Sequence, residues 1–263
     1  MAKYIPGICN YCNSWCERCS FIDRCRTGER QKETIERRKQ QMQNLGIGPA
    51  EEEDDMAEEI LSNLQDALKI LHEKAQEHGI DLNEIDEDEL EAHAAESDRR
   101  HNEVRKHPLT ELCNVYQASV RHFFRTSTSI QHHIIDQIPQ VEMGIRSEND
   151  AIRHLEEVND LVEVIQWHST IPHPKFSRAL LGQQEEYDPR IWPDPLQTDW
   201  NGSAKVGLVA LTDSKAAWVK LLELLPGEED KMLPVLSKLD QCINMANQLF
   251  PDAMKFKRPG FDD

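Results

Sequence analysis

Apolar residues recur along most of this chain at intervals of three and four, and no stretch alternates them cleanly with polar ones, so the pattern predicts helices and no strands. Residues 29–44 hold strong helix formers, and Asn44, Gly46, Gly48 and Pro49 stop that helix. A second helix is predicted over 51–78. Its acidic start suits the positive end of the helix dipole, Ile60, Leu61, Leu64, Leu68 and Leu71 form one stripe, and Gly79 ends it. Residues 81–107 carry dense charge and few large apolar side chains (Leu82, Ile85, Leu90 and Val104), which predicts a solvated, loosely attached helix over 87–105.

The pattern changes at Pro108. Helices are predicted over 109–137, with Leu112, Val115, Tyr116, Val120, Phe123 and Phe124 as the apolar side, and over 148–170, with Ile152, Leu155, Val158, Leu161, Val162, Ile165 and Trp167. Pro139 and Gly144 separate them. Five prolines and two tryptophans in 171–202 predict a long ordered loop, with a short helix at 175–183. Asn201, Gly202 and Ser203 read as a turn and N-cap opening a helix over 204–225, closed by Pro226 and Gly227. The last helix spans 228–250. The expected fold is mostly α: a Cys-rich metal-binding module (1–28), a charged helical connector (29–107) and an antiparallel helical bundle (108–263) that includes the loop 171–202.

Charge changes the picture of partners. The formal net charge is −18, from nine basic against five acidic residues in 1–50, six against twenty in 51–110 and fifteen against twenty-three in 111–263. Most of the surface would repel nucleic acid. No apolar run reaches the ~18 residues of a membrane span, and the first residues lack a secretory apolar core, so a cytoplasmic, reducing setting is expected.

The chemistry is concentrated in Cys9, Cys12, Cys16, Cys19 and Cys25, spaced C-x2-C-x3-C-x2-C-x5-C. In a reducing compartment such density points to a metal held by thiolates. Cys9, Cys12 and Cys16 resemble the iron–sulfur ligand set of the molybdopterin-dependent oxidoreductases. Cys12, Cys16 and Cys19 resemble the motif of the radical S-adenosylmethionine enzymes. The chain is far smaller than the first family and lacks the strands of the second, so only the ligand geometry carries over. Three or four thiolates within about ten residues can wrap one 4Fe–4S cubane, with Cys19 or Cys25 as the fourth ligand. Structural zinc is the rival cofactor, although its paired cysteines usually stand ~12–20 residues apart. On a continuous helix, Cys9, Cys12, Cys16 and Cys19 would instead form a row suited to Cu(I), or an ordinary buried thiol face. Cys113 and Cys242 read as core residues.

Elsewhere the candidates are weaker. Asp150, His154, Glu157, Asp160, Glu163 and His168 read as the solvated side of their helix, and His132, His133 and Asp136 as a surface group. The di-iron Glu-x-x-His pattern and the usual nucleotide and hydrolase motifs are missing, so no reaction is assigned. The loop residues His173, Lys175, Arg178, Trp192 and Trp200 are the expected interaction surface for a protein partner, unless the tryptophans plug the bundle. The expected function is a metal-dependent binding or adaptor protein, or alternatively an electron-transfer protein with an N-terminal cluster.

Overall fold

The computed structural model of the protein describes residues 3–45, 52–78, 86–225 and 227–262. Ten α-helices follow one another among them: α1 (Arg26–Leu45), α2 (Glu52–His78), α3 (Glu87–Arg105), α4 (Pro108–Thr126), α5 (Ser129–Ile135), α6 (Gln137–Glu142), α7 (Glu148–Ser169), α8 (Pro172–Gln183), α9 (Asp199–Leu224) and α10 (Glu229–Leu249). The described residues contain no strand, so the mostly helical expectation holds. The expected stops at Gly46–Pro49, Gly79 and Pro226 lie outside the described residues, as do Leu82 and Ile85.

Two compact units divide the chain. One joins Met1–Phe21 to Arg100–Asp263, and the other spans Ile22–Arg99. In the larger unit α9 packs on α7, α8 and α10, while α4 packs on α7, α8 and α10. The core between them is built from Leu109, Tyr116, Val158, Ile165, Phe176, Leu211, Trp218, Leu221, Met232 and Leu239, all inaccessible or nearly so. Tyr116 keeps its hydroxyl satisfied there by a 2.6 Å hydrogen bond with Ser214. Cys113 and Cys242 face each other across α4 and α10 with sulfurs 4.0 Å apart, fully buried, as core residues.

Burial on several sides explains the composition of α9. Gly202, Ser203, Ala204, Gly207, Ala210, Ser214 and Ala217 are all buried, and they leave room for larger neighbours. A Cβ at Gly207 would stand 2.8 Å from the Phe176 ring. The helix also begins earlier than the sequence predicts. Thr198, not Ser203, is its N-cap, and Asn201–Ser203 lie inside it. Asn201 reaches back from within the helix and donates to the Pro195 carbonyl at 3.2 Å.

The expected long loop 171–202 is likewise mostly helix. Pro172 and Pro174 fall in the first turn of α8, where missing N–H groups cost nothing to the ladder, so they start this helix and do not prevent it. The irregular part is residues 184–198, apart from a 3-10 turn at Pro195–Gln197. The single helix predicted over 109–137 is in turn two, α4 and α5, and a third, α6, begins at its end. α4 ends at Thr126, α5 and α6 follow, and Pro139 lies within α6. His107 caps α4, its side chain accepting from the Leu109 N–H. Ser147 caps α7 by accepting from the Asp150 N–H.

Because Phe176 is fully buried against Gly207, Gly207→Ala should overpack the core and lower stability by about 1–3 kcal/mol, read as a reduced midpoint in urea with unchanged slope.

Candidate functional site

Cys9, Cys12, Cys16 and Cys19 do not share a helix face. Short 3-10 turns at Ile8–Tyr11 and Cys16–Arg18 each carry the first half of one C-x2-C pair, and the second cysteine of each pair follows in extended backbone. Between the pairs Ser14 adopts φ 57°, a left-handed conformation uncommon for a residue with a side chain, which bends the chain. The row of thiols that would suit Cu(I) is therefore not formed. The Cys12 thiol donates to the Cys9 carbonyl at 3.3 Å and accepts from the Ser14 N–H at 3.4 Å. The Cys19 N–H donates to the Cys16 carbonyl at 3.1 Å. Cys9 is exposed and the other three are half-buried.

Cys25 belongs to the second unit. It is buried at the start of α1, where its carbonyl accepts from the Glu29 N–H and its sulfur from the Gly28 N–H. Among the described residues, no three His, Cys, Asp or Glu side chains are gathered in a way that could hold a metal ion as they stand.

The segment carrying the first four cysteines is fixed to the bundle by alternating residues. Tyr11 lies against Phe256, with ring centroids 4.6 Å apart, and its hydroxyl donates to Asp199 at 3.0 Å. Burial and this carboxylate raise its pKa to about 12. A Cβ at Gly202 would stand 2.4 Å from the Tyr11 ring, so the bare backbone of α9 is what admits it. Asn13 reaches α7 twice. Its carbonyl accepts from Trp167 Nε1 at 2.9 Å, and its amide meets His168 Nε2 at 3.3 Å. Trp15 stacks on Trp167 at 5.3 Å and is covered by the Arg18 guanidinium at 4.3 Å. Arg18 continues to Asp160 and Glu163, at 2.5 Å each. These ion pairs are solvent-accessible and contribute little, so the aromatic contacts carry most of the attachment.

The expected interaction surface divides along the same lines. Lys175 Nζ donates to the Asn10 carbonyl at 2.9 Å. Burial lowers its pKa, and the neighbouring Arg178 guanidinium lowers it further. Arg178 holds Asp199, the partner of Tyr11, at 2.8 and 2.5 Å. Lys175 and Arg178 therefore face the chain's own cysteine segment. His173 is half-buried in the first turn of α8, and burial lowers its pKa. Trp192 and Trp200 meet edge to face at 5.5 Å, with Tyr187 donating to the Trp192 carbonyl at 2.7 Å. Trp200 also packs on Gly182 of α8 and on the core, so both tryptophans are partly buried against their surroundings.

Sequence reasoning missed the docking face on α7. Asp160, Glu163 and His168 share the helix side read as solvated, yet His168 is buried at 6% exposure. The available signal was Trp167, a large aromatic next to that polar side. His133 and His154, assigned to separate surface groups, also come together, with Nε2 atoms 2.6 Å apart. No family model, no curated protein and no solved structure matches this chain.

Two outcomes test the docking. Gly202→Ala should displace Tyr11 and detach residues 3–21, seen as rapid proteolysis of that segment while helicity is retained. His168 supplies a pH dependence. Burial lowers its pKa below that of the unfolded chain, so the unfolded state binds more protons once the pH falls below ~6.5. Its contribution is present above that pH and is lost on acidification through the folded pKa. His168→Gln should flatten the decline of the melting temperature below pH 6.5.

Proposed function

We propose that Cys9, Cys12, Cys16 and Cys19 bind one soft metal centre, a 4Fe–4S cluster or a zinc ion, on a helical protein that works as a binding or adaptor module. The observation that carries this reading is the bend at Ser14 between two C-x2-C turns, on a segment attached to the bundle by Tyr11, Asn13 and Trp15. A bend of this kind removes the difficulty of placing two pairs only three residues apart around one centre. Thiolates select zinc and iron–sulfur clusters by their softness, and the Ser14 N–H already points at the Cys12 sulfur. Drawing the four sulfurs together needs side-chain rotation and adjustment of the short turns, which the metal–sulfur bonds would drive. The Lys175 ammonium beside Cys9 and Cys12 offsets part of the negative charge of such a site. Cys25 has a local role at the start of α1 and is left out of the ligand set.

In this reading the compartment is reducing, and His173 with the segment holding Trp192 and Trp200 supplies the surface for a protein partner. No membrane role is proposed. No helix among the described residues is long and apolar enough to cross a membrane. The exposure of Cys9 favours a second reading, in which the same centre exchanges electrons with a docked protein.

Metal analysis and absorption spectra of anaerobically purified protein test the proposal. Iron with acid-labile sulfide and a broad band near ~400 nm identifies a cluster, and a colourless protein with one equivalent of zinc identifies a structural site. Cys9→Ser, Cys12→Ser, Cys16→Ser and Cys19→Ser should each deplete the metal. Cys25→Ser, Cys113→Ser and Cys242→Ser should retain it. Full occupancy in all four of the first group would reject the ligand set.

A further inference from the structure

The apolar stripe of α2 has the opposite character to the rest of the fold. Ile60, Leu61, Leu64, Leu68 and Leu71 are 54%, 59%, 54%, 50% and 52% exposed. Isolated exposed leucines need no explanation, but a continuous row of them along one helix marks a surface that is covered by something. Leu61, Leu64, Leu68 and Leu71 follow one another at spacings of three, four and three, which is the a/d repeat of a coiled-coil seam, and the open seam ends before Ala75, which is already buried within its own chain. No charged residue interrupts the series.

The seam is its own complement. Run antiparallel to a second copy, Leu61 faces Leu71 of the partner subunit while Leu64 faces Leu68 of the partner subunit. The two layers repeat on the other side of a two-fold axis between positions 64 and 68, so one patch serves both chains, as a closed isologous dimer requires.

Charge selects the direction. Residues 52–66 contain seven acidic residues (Glu52, Glu53, Asp54, Asp55, Glu58, Glu59 and Asp66) and no basic one. In residues 67–78, Lys69 and Lys74 balance Glu73 and Glu77, and His72 and His78 add further donors. A parallel pair would lay one acidic half on the other, whereas an antiparallel pair lays each acidic half along the neutral one. The area is also sufficient. Five half-exposed side chains offer on the order of 500 Å² per copy, so the pair buries about 1,000 Å², at the lower limit of a specific interface.

We propose that α2 is a self-association site through which two copies of this chain pair as an antiparallel helical dimer. Light scattering coupled to size exclusion, run over a concentration series on the full chain with and without a chelator, tests it. The expected result is a dimer in both conditions, weakened at least about 100-fold by Leu64→Glu/Leu68→Glu, with the monomer's thermal unfolding unchanged. Leu61→Cys/Leu71→Cys should give an oxidised covalent dimer beyond that of the unmodified chain. A monomer at all concentrations, or a dimer indifferent to the glutamates, overturns the proposal. A glutamate variant that melts lower than the unmodified chain at a dilution where both are monomeric also overturns it, because the stripe would then pack within its own chain. If that variant does not fold, the mass of the unmodified protein and the cysteine cross-link still decide.

Discussion

A helix with neighbours on several sides must be small or apolar nearly all round, and this condition on α9 shapes the larger unit. α7, α8 and α10 can approach it because so many of its buried positions are Gly, Ala or Ser. Phe176 fills the space left at Gly207, and Tyr11 and Phe256 fill the space left at Gly202. The second of these links the core to the candidate site. The same backbone that packs the bundle receives the first aromatic of the cysteine segment. From that contact Asn13, Trp15 and Arg18 continue along α7, so that Cys9, Cys12, Cys16 and Cys19 are attached to a structured surface.

The tail strengthens the same corner. Lys205, nearly buried in α9, donates to the Phe256 carbonyl at 2.6 Å and pairs with Asp262 at 2.7 Å. Arg258 shares that carboxylate, and together the two cations hold its pKa well below the usual range. Phe261 in turn lies edge-on against Phe21, at 5.1 Å. The two ends of the larger unit are thus bound to each other and to α9. A low-dielectric ion pair that is fully hydrogen-bonded is costly to break, which makes this corner resistant to local opening.

Periodicity made the helices legible wherever a single apolar side sufficed, as in α7 and α10, whose predicted limits differ from the observed ones by a residue. It failed where local chemistry had two readings. Pro172 and Pro174 disrupt a helix interior but initiate a helix, and only their position in the first turn separates the two. Asn201, Gly202 and Ser203 favour a turn by propensity, yet tertiary burial selects them here because they are small. The cysteine spacing pointed to the segment but could not show whether the thiols lie on one helix. That depended on Ser14, whose left-handed conformation carries no sequence signature. The docking face on α7 was hidden for a related reason: polar residues that bind another part of the chain look the same in sequence as polar residues that bind water.

Convergence of the first four cysteines on one soft metal is what the proposed function depends on. X-ray absorption at the edge of the metal found in the anaerobically purified protein tests it directly, because it counts the atoms around the metal without reference to activity. Such convergence gives a nearest shell of sulfur only, near ~2.3 Å, with an additional iron neighbour if the centre is a cluster. A shell dominated by nitrogen or oxygen, or a protein that binds no metal under anaerobic reconstitution, would contradict it.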